Sequence, residues 1–122
     1  AVHDGERLLL TRYKDRPIKH YALVAGFNEI GESIEETVHR EVLEETGVRV
    51  KNLKFYKSQP WVFTDTLLFG FYAELDGDDH LTVQEDELSE AVWVDRHDVP
   101  EDTTGFSLTA EMIEQFRIGA VK

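Results

Sequence analysis

The sequence contains no cysteine, which excludes disulfide bonds and cysteine-ligated zinc within these 122 residues. It also lacks an apolar run near the roughly 20 residues that a membrane-spanning helix needs. No positively charged start followed by an apolar stretch is present, so no signal peptide is predicted. Together these absences favour a cytoplasmic protein without a membrane partner.

Positive charge is also scarce. The 13 Lys and Arg residues are outnumbered by 25 Asp and Glu residues, which gives a formal net charge of -12 at pH 7. Such a chain repels a polyanion at long range, which disfavours extensive binding to a nucleic-acid backbone. A single phosphorylated small molecule can still bind where a divalent cation lies between carboxylates and phosphate. The five histidines share no metal-ligand spacing and are interpreted as surface or structural residues.

The length and patterning predict one domain over residues 1–122, without internal repeats or linkers. Apolar or alternating segments predict strands at 6–13, 48–57, 66–75, 81–83 and 91–94, besides a short apolar run at 20–26. The segment 66–75 is expected to be a buried strand. Helices are predicted at 33–46 and 109–117, and 76–79 is predicted to be a turn. This order indicates an α+β fold, a mixed β-sheet sandwiched between helices (α/β/α).

The helix at 33–46 has clear predicted ends. Ser33 can cap its start, with Glu36 completing a capping box, and Gly47 is placed to end it in a left-handed conformation. Its predicted buried stripe consists of residues four apart: Ile34, Val38 and Val42.

The same helix concentrates carboxylates on one face. Glu41, Glu44 and Glu45 stand at i, i+3 and i+4. Like charges at this spacing destabilise an isolated helix by roughly a few tenths of a kcal/mol. A divalent cation reverses the sign of the interaction, and Mg²⁺ is commonly held by a few carboxylates plus phosphate. The triplet alone is compatible with a solvated acidic face, the commoner case, or with a metal site.

The spacing of the surrounding residues favours the metal site. In order the segment has Gly26, five residues, Glu32, seven residues, Arg40-Glu41, an aliphatic residue, any residue, Glu44-Glu45, any residue, Gly47 and an aliphatic residue. Seven fixed identities at this spacing match by chance with a frequency on the order of 10⁻⁸ at a given start. The segment resembles the Nudix box, so the chain is identified as a member of the Nudix hydrolases.

The resemblance implies a loop–helix–loop segment that binds Mg²⁺ or Mn²⁺. The residues it implies as metal ligands or metal-linked groups are the backbone carbonyl of Ala25 or Gly26 and the carboxylates of Glu32, Glu41, Glu44 and Glu45. Arg40 is implied as the residue that orients these glutamates. From the residues alone, Arg40 is also an i,i+4 partner of Glu36.

The chemistry that the family implies is diphosphate hydrolysis. Metal ions neutralise the diphosphate, activate a water molecule and stabilise the leaving phosphate. A general base takes the proton of that water. The base stays open between three residues: Glu44, Glu45 and Glu87.

A second signature follows the box at residues 58–66, which read SQPWVFTDT. They resemble the SQPWPFPxS signature of the NADH pyrophosphatase (NAD⁺ diphosphatase) subgroup, with two prolines and the final serine replaced. In that subgroup the segment lines the dinucleotide pocket. The implied substrate-binding residues are Gln59, Pro60, Trp61, Val62, Phe63, Thr64, Asp65 and Thr66. The alternative for Trp61 and Phe63 is ordinary core packing.

Two later positions fit the same subgroup. Glu87 aligns with a late glutamate that binds metal and substrate, and its alternative is a surface residue in the acidic run 85–90. Thr109 falls at a substrate-contact position that is usually alanine.

The subgroup is dimeric, which implies a homodimer. Its full-length members also carry a cysteine zinc ribbon and a Tyr-Pro-Arg stretch ahead of this domain. This sequence lacks both, so we expect either a part of a longer protein or a shorter relative.

The leading hypothesis is hydrolysis of NAD(H) to NMN(H) and AMP, so the expected small-molecule partner is a dinucleotide or nucleoside diphosphate derivative. One alternative is another Nudix pyrophosphatase, acting on ADP-ribose, a nucleoside triphosphate or NAD-capped RNA. The other is a non-catalytic domain that senses a nucleotide. Degenerate sensors usually lose box glutamates, whereas all of them are present here, so catalysis is favoured.

Overall fold

The computed structural model describes residues 1–12, 23–24, 27–61, 66–82, 90–99 and 108–120. The elements are β1 (Val2–Asp4), β2 (Arg7–Arg12), α1 (Ile34–Thr46), β3 (Val50–Trp61), β4 (Thr66–Leu75), β5 (Glu90–Asp95), a 3₁₀ turn (Arg96–Asp98) and α2 (Leu108–Arg117). Several predicted site residues lie outside the described part: Ala25, Gly26, Val62, Phe63, Thr64, Asp65, Glu87 and the side chains of Trp61 and Thr66.

The strands form one five-stranded sheet in the order β3-β4-β1-β2-β5. β1 runs parallel to β4, where Val2 pairs with Ala73. The other three pairings are antiparallel, so the sheet is mixed. The predicted α+β fold with a mixed sheet between helices is confirmed. Among the described residues, neither helix has the length and apolar character needed to cross a membrane.

Alternation along β2 distributes its side chains between the two faces of the sheet. Leu8 and Leu10 are buried on one face with Met112 and Phe116 of α2. Leu9 points to the other face and joins a second cluster with Val42 of α1. The two helices therefore cover opposite faces, and Met112, Ile113 and Phe116 of α2 are buried against the sheet.

The start and end of α1 agree with their prediction from sequence. The Ser33 hydroxyl accepts from the Glu36 N–H at 3.1 Å, and the Glu36 carboxylate accepts from the Ser33 N–H at 3.1 Å. Gly47 ends the helix at φ 78°. The buried stripe differs in part. Val42 is buried as predicted, but the other buried side chains of α1 are Thr37 and Thr46, and Ile34 and Val38 are only partly buried.

The prediction that 66–75 is buried throughout is wrong, although the bounds of β4 are as predicted. Tyr72 and Ala73 are buried, whereas Leu67 and Phe69 are 52% and 44% exposed. Among the described strands, the second half of β4 pairs with both β3 and β1, whereas its first half pairs with β3 alone and so has fewer neighbours to cover it. The first half therefore borders an open cleft.

The observed strands differ from the prediction at three further places. β1 was not predicted, because three residues before a glycine turn carry too little periodicity; Gly5 makes that turn at φ 58°. β3 continues past residue 57 to Trp61, so the second signature begins within a strand. In the predicted strand 81–83, Leu81 and Thr82 are not in a strand, and Val83 lies outside the described residues. Instead, the Thr82 N–H donates to the Thr46 carbonyl at 2.8 Å, which ties this segment to the end of α1.

Candidate active site

Arg40 lies at the centre of the carboxylate cluster. Its guanidinium donates to Glu32 at 2.7 and 3.0 Å, Glu41 at 2.7 Å, Glu44 at 3.2 Å and the Phe27 carbonyl at 2.9 Å, and lies 3.7 Å from Glu29. The alternative partner Glu36 is engaged in the capping box at the start of α1. These contacts show how one arginine fixes the orientation of several carboxylates.

Glu32 is held in its charged form by this arrangement. The Arg40 guanidinium, together with the Thr37 hydroxyl 2.7 Å away, lowers the pKa of the Glu32 carboxyl to about 2. The Glu32 side chain is only 14% exposed. The segment before α1 also contacts Glu32, since the Glu29 N–H donates to Glu32 Oε1 at 3.2 Å. Glu32 therefore connects the loop to the helix.

The chemistry of these side chains fits a hard divalent cation. Carboxylate oxygens are the donors that Mg²⁺ and Mn²⁺ prefer. Four carboxylates around one guanidinium also leave a net negative charge between α1 and the loop before it. Within the described ranges, no group of three or more His, Cys, Asp or Glu side chains is already arranged to hold a metal ion. The ligand roles of four residues stay predictions: Glu32, Glu41, Glu44 and Glu45.

A cleft of about 580 Å³ opens beside this cluster. Its lining includes Glu41 of α1, the first half of β4, the start of α2 and the segment near Phe27. Glu41 contacts Arg40 and lines the cleft, so it links the carboxylate cluster to the open space. Glu44 and Glu45 follow one helical turn later and are not among the described lining residues.

Thr109, predicted from its position in the last helix, lines the same cleft. Gln59 and Pro60 lie at the end of β3, paired with Leu68 and Leu67 of β4. The Gln59 amide oxygen accepts from the Leu108 N–H at 2.8 Å. The structure thus brings Glu41 and Thr109 to one cleft, while the substrate contacts of residues 59–66 stay predictions.

The sequence prediction missed the apolar part of the cleft lining. Phe27 is 79% exposed, and Leu67, Phe69 and Phe71 share one side of β4. Alternation along 67–71 was the available signal, but a continuous apolar run gives no indication of which face is uncovered.

A model of the NUDIX domain family matches residues 1–116. The chain belongs to the Nudix family. The family predicted from the box is therefore confirmed. The NAD-capped RNA hydrolase NudC of Actinobacillus succinogenes is 45% identical over 98 residues, covering 76% of this chain and 37% of that protein. The protein of the same name from Pseudomonas syringae pv. tomato is 40% identical over 115 residues, covering 94% and 41%.

Solved Nudix structures share the fold. A crystal structure of a Nudix hydrolase from Nitrosomonas europaea superposes with a TM-score of 0.76 at 21% identity, covering 94% of this chain and 65% of that one. This identity supports the Nudix fold alone. The chain spans about two fifths of the length of the curated relatives described above.

Proposed function

We propose that this Nudix domain catalyses the metal-dependent hydrolysis of the diphosphate bond in NAD(H), giving NMN(H) and AMP. The observation that carries the proposal is that Glu41 and Thr109 line one cleft. Glu41 belongs to the Nudix box, and Thr109 is the late position implied by the NADH pyrophosphatase subgroup. A box residue and a later position that the subgroup resemblance implies thus meet in one cleft.

The cleft has the size and lining that such a substrate requires. Its volume of about 580 Å³ is typical of small-molecule sites, which span about 300–1,000 Å³. Apolar side chains such as Phe27, Phe69 and Met112 border it, and such walls suit the flat ring of a nicotinamide or adenine. The carboxylates next to Glu41 suit a cation that binds the diphosphate.

The metal ions, when bound, would neutralise the diphosphate and lower the pKa of a bound water. Glu41, Glu44 and Glu45 would hold them, joined by Glu32, Glu87 and the carbonyl of Ala25 or Gly26. Arg40 orients Glu32, Glu41 and Glu44 through its hydrogen bonds, and it lowers the pKa of Glu32 so that this carboxylate stays ionised.

The proton of the attacking water passes to one carboxylate, which is Glu44, Glu45 or Glu87. The water oxygen forms a new bond to phosphorus as the bridging P–O bond breaks. Two phosphate monoesters leave the cleft, and each retains one of the original nucleoside groups.

NAD-capped RNA is a second candidate substrate, favoured by the names of the curated relatives. The cap presents the same diphosphate bond. The net charge of -12 disfavours extensive contact with the RNA backbone but permits binding of a capped 5′ end.

The test is a hydrolysis panel with Mg²⁺ or Mn²⁺ over NADH, NAD⁺, ADP-ribose, nucleoside triphosphates and a short NAD-capped RNA. We expect NMNH and AMP from NADH, with EDTA stopping the reaction. Release of free nicotinamide would indicate different chemistry. No hydrolysis of any substrate by metal-loaded protein would favour a nucleotide sensor.

The homodimer and the cytoplasmic location belong to the same proposal, and light scattering tests the homodimer.

A further inference from the structure

Gln59 caps a helix that starts 49 positions later in the chain. Its Oε1 lies 2.8 Å from the backbone nitrogen of Leu108, the first residue of α2. A backbone N–H can only donate, so this contact requires the oxygen of the Gln59 amide and not its nitrogen. The first N–H groups of a helix have no partner within the helix, so β3 supplies the acceptor.

The first turn of α2, whose first N–H donates to Gln59, lines the cleft. Leu108, Thr109 and Met112 all line it. The ends of a helix fray more readily than its middle. A contact to the first N–H therefore has a direct effect on the position of Thr109, one residue further on.

A glycine in β4 sets how closely α2 approaches the sheet. A Cβ added to Gly70 would lie 2.7 Å from Met112 Sδ and 3.2 Å from Leu108 Cδ2. Gly70 therefore allows α2 to pack directly on β4. The β3–β4 pair therefore positions α2 in two ways, through the hydrogen bond from Leu108 to Gln59 on β3 and through the close packing at Gly70 on β4. The two residues belong to one antiparallel ladder, in which Gln59 pairs with Leu68.

We propose that Gln59 is a positioning residue, which acts on substrate binding through the Leu108 N–H by holding Thr109 in place. This inference rests on the proposed function. It gives Gln59 a different role from the direct substrate contact that the signature at 59–66 implies. A direct contact would need the amide nitrogen as donor, whereas the positioning role needs only the oxygen.

Two substitutions separate these roles. Gln59→Glu keeps an oxygen acceptor and loses the N–H donors, whereas Gln59→Met keeps the length and loses both. We expect Gln59→Met to raise KM for NADH about five- to tenfold, as for the loss of one hydrogen bond, with kcat within about twofold. We also expect about tenfold faster amide exchange at Leu108. Gln59→Glu should retain Leu108 protection, and its KM should match that of Ser58→Glu, which adds the same charge one residue away.

The outcomes are distinct. A Gln59→Met protein with a faster-exchanging Leu108 amide but an unchanged KM overturns the positioning role. So does a Gln59→Glu protein with a KM as high as that of Gln59→Met while Leu108 stays protected, because the amide N–H would then contact substrate. If the methionine variant does not fold, Gln59→Asn repeats the test, since its shorter side chain withdraws the acceptor. A wild-type protein that hydrolyses no substrate overturns the proposed function, and with it the basis of this inference. An active wild-type protein whose KM does not change in Gln59→Met overturns only the positioning role.

Discussion

Arg40 donates to both carboxylate oxygens of Glu32, with Nε 2.7 Å from Oε2 and Nη2 3.0 Å from Oε1. Glu32 lies before α1 and Arg40 lies eight positions later, on the second turn of the helix. The pair therefore ties the preceding loop to the helix. The remaining nitrogen of Arg40, Nη1, donates to Glu41 and Glu44. The carboxylates of the loop and of the helix therefore bind the same guanidinium.

Arg40→Lys should weaken metal binding. Lysine keeps the charge but has no planar fork, so it cannot bridge Glu32 and still reach Glu41 and the Phe27 carbonyl. We expect the Mn²⁺ affinity to fall by about 10- to 100-fold, as for other residues that orient metal ligands. Mn²⁺ titration followed by electron paramagnetic resonance measures this. The control is Arg49→Lys, an exposed arginine after α1. Equal affinities for wild type and Arg40→Lys would contradict the orienting role.

Glu41→Gln should reduce hydrolysis with the fold retained. The side chain is 17% exposed, contacts Arg40 and lines the cleft, so the substitution removes one charge where metal and substrate would meet. We expect kcat/KM for NADH to fall by about 100-fold or more. Glu35→Gln is the matched control, because Glu35 is an exposed glutamate on the same helix. Similar losses in both variants, with unchanged circular dichroism, would show a general charge effect.

The helix α1 was predictable because its signals are local. Ser33, Glu36 and Gly47 lie within or beside the segment they delimit, and each acts through contacts of a few residues. The burial of β4 was not predictable in the same way. Leu67 and Phe69 are as apolar as the buried part of the strand, but their exposure depends on which strands and helices cover them.

The same distinction applies to the candidate site. The box residues from Glu32 to Glu45 come from one contiguous segment, so their spacing is visible in the sequence. The wall formed by α2 depends on the contact between Gln59 and Leu108. No local pattern indicates this contact, because it exists only once α2 packs on β3 and β4.

Gly70→Ala should lower stability through overpacking between β4 and α2. The added Cβ would lie 2.7 Å from Met112 Sδ, and such crowding in a packed core costs about 1–3 kcal/mol. Urea denaturation measures the loss in unfolding free energy. The Met112→Ala background makes room, so Gly70→Ala should cost less there than in the wild type. An equal cost in both backgrounds would show that Met112 is not the obstacle.

Tyr56→Phe should change how stability depends on pH. The Tyr56 hydroxyl donates to Glu111 Oε2 at 2.6 Å, and Lys57 Nζ lies 3.1 Å from Oε1. The Tyr56 hydroxyl, followed by Lys57, lowers the pKa of Glu111, and the Glu111 carboxylate raises the pKa of Tyr56 to about 12. The lowered Glu111 pKa gives stability above the ordinary glutamate value of 4.5, which is lost as the pH falls through the folded pKa. The raised Tyr56 pKa gives stability below pH 10, which is lost as the pH rises toward 12.

Removing the Tyr56 hydroxyl should therefore lower the unfolding free energy most at intermediate pH, by about 1 kcal/mol because the pair is partly exposed. The difference from wild type should shrink toward both extremes. Urea denaturation at a series of pH values measures it. Tyr72→Phe is the matched control, because the Tyr72 hydroxyl donates to the Met112 carbonyl, a backbone group that does not titrate. Its loss of stability should stay constant as the pH falls through the acid range. A Tyr56→Phe difference that also stayed constant there would mean that Glu111 gains nothing from the hydroxyl.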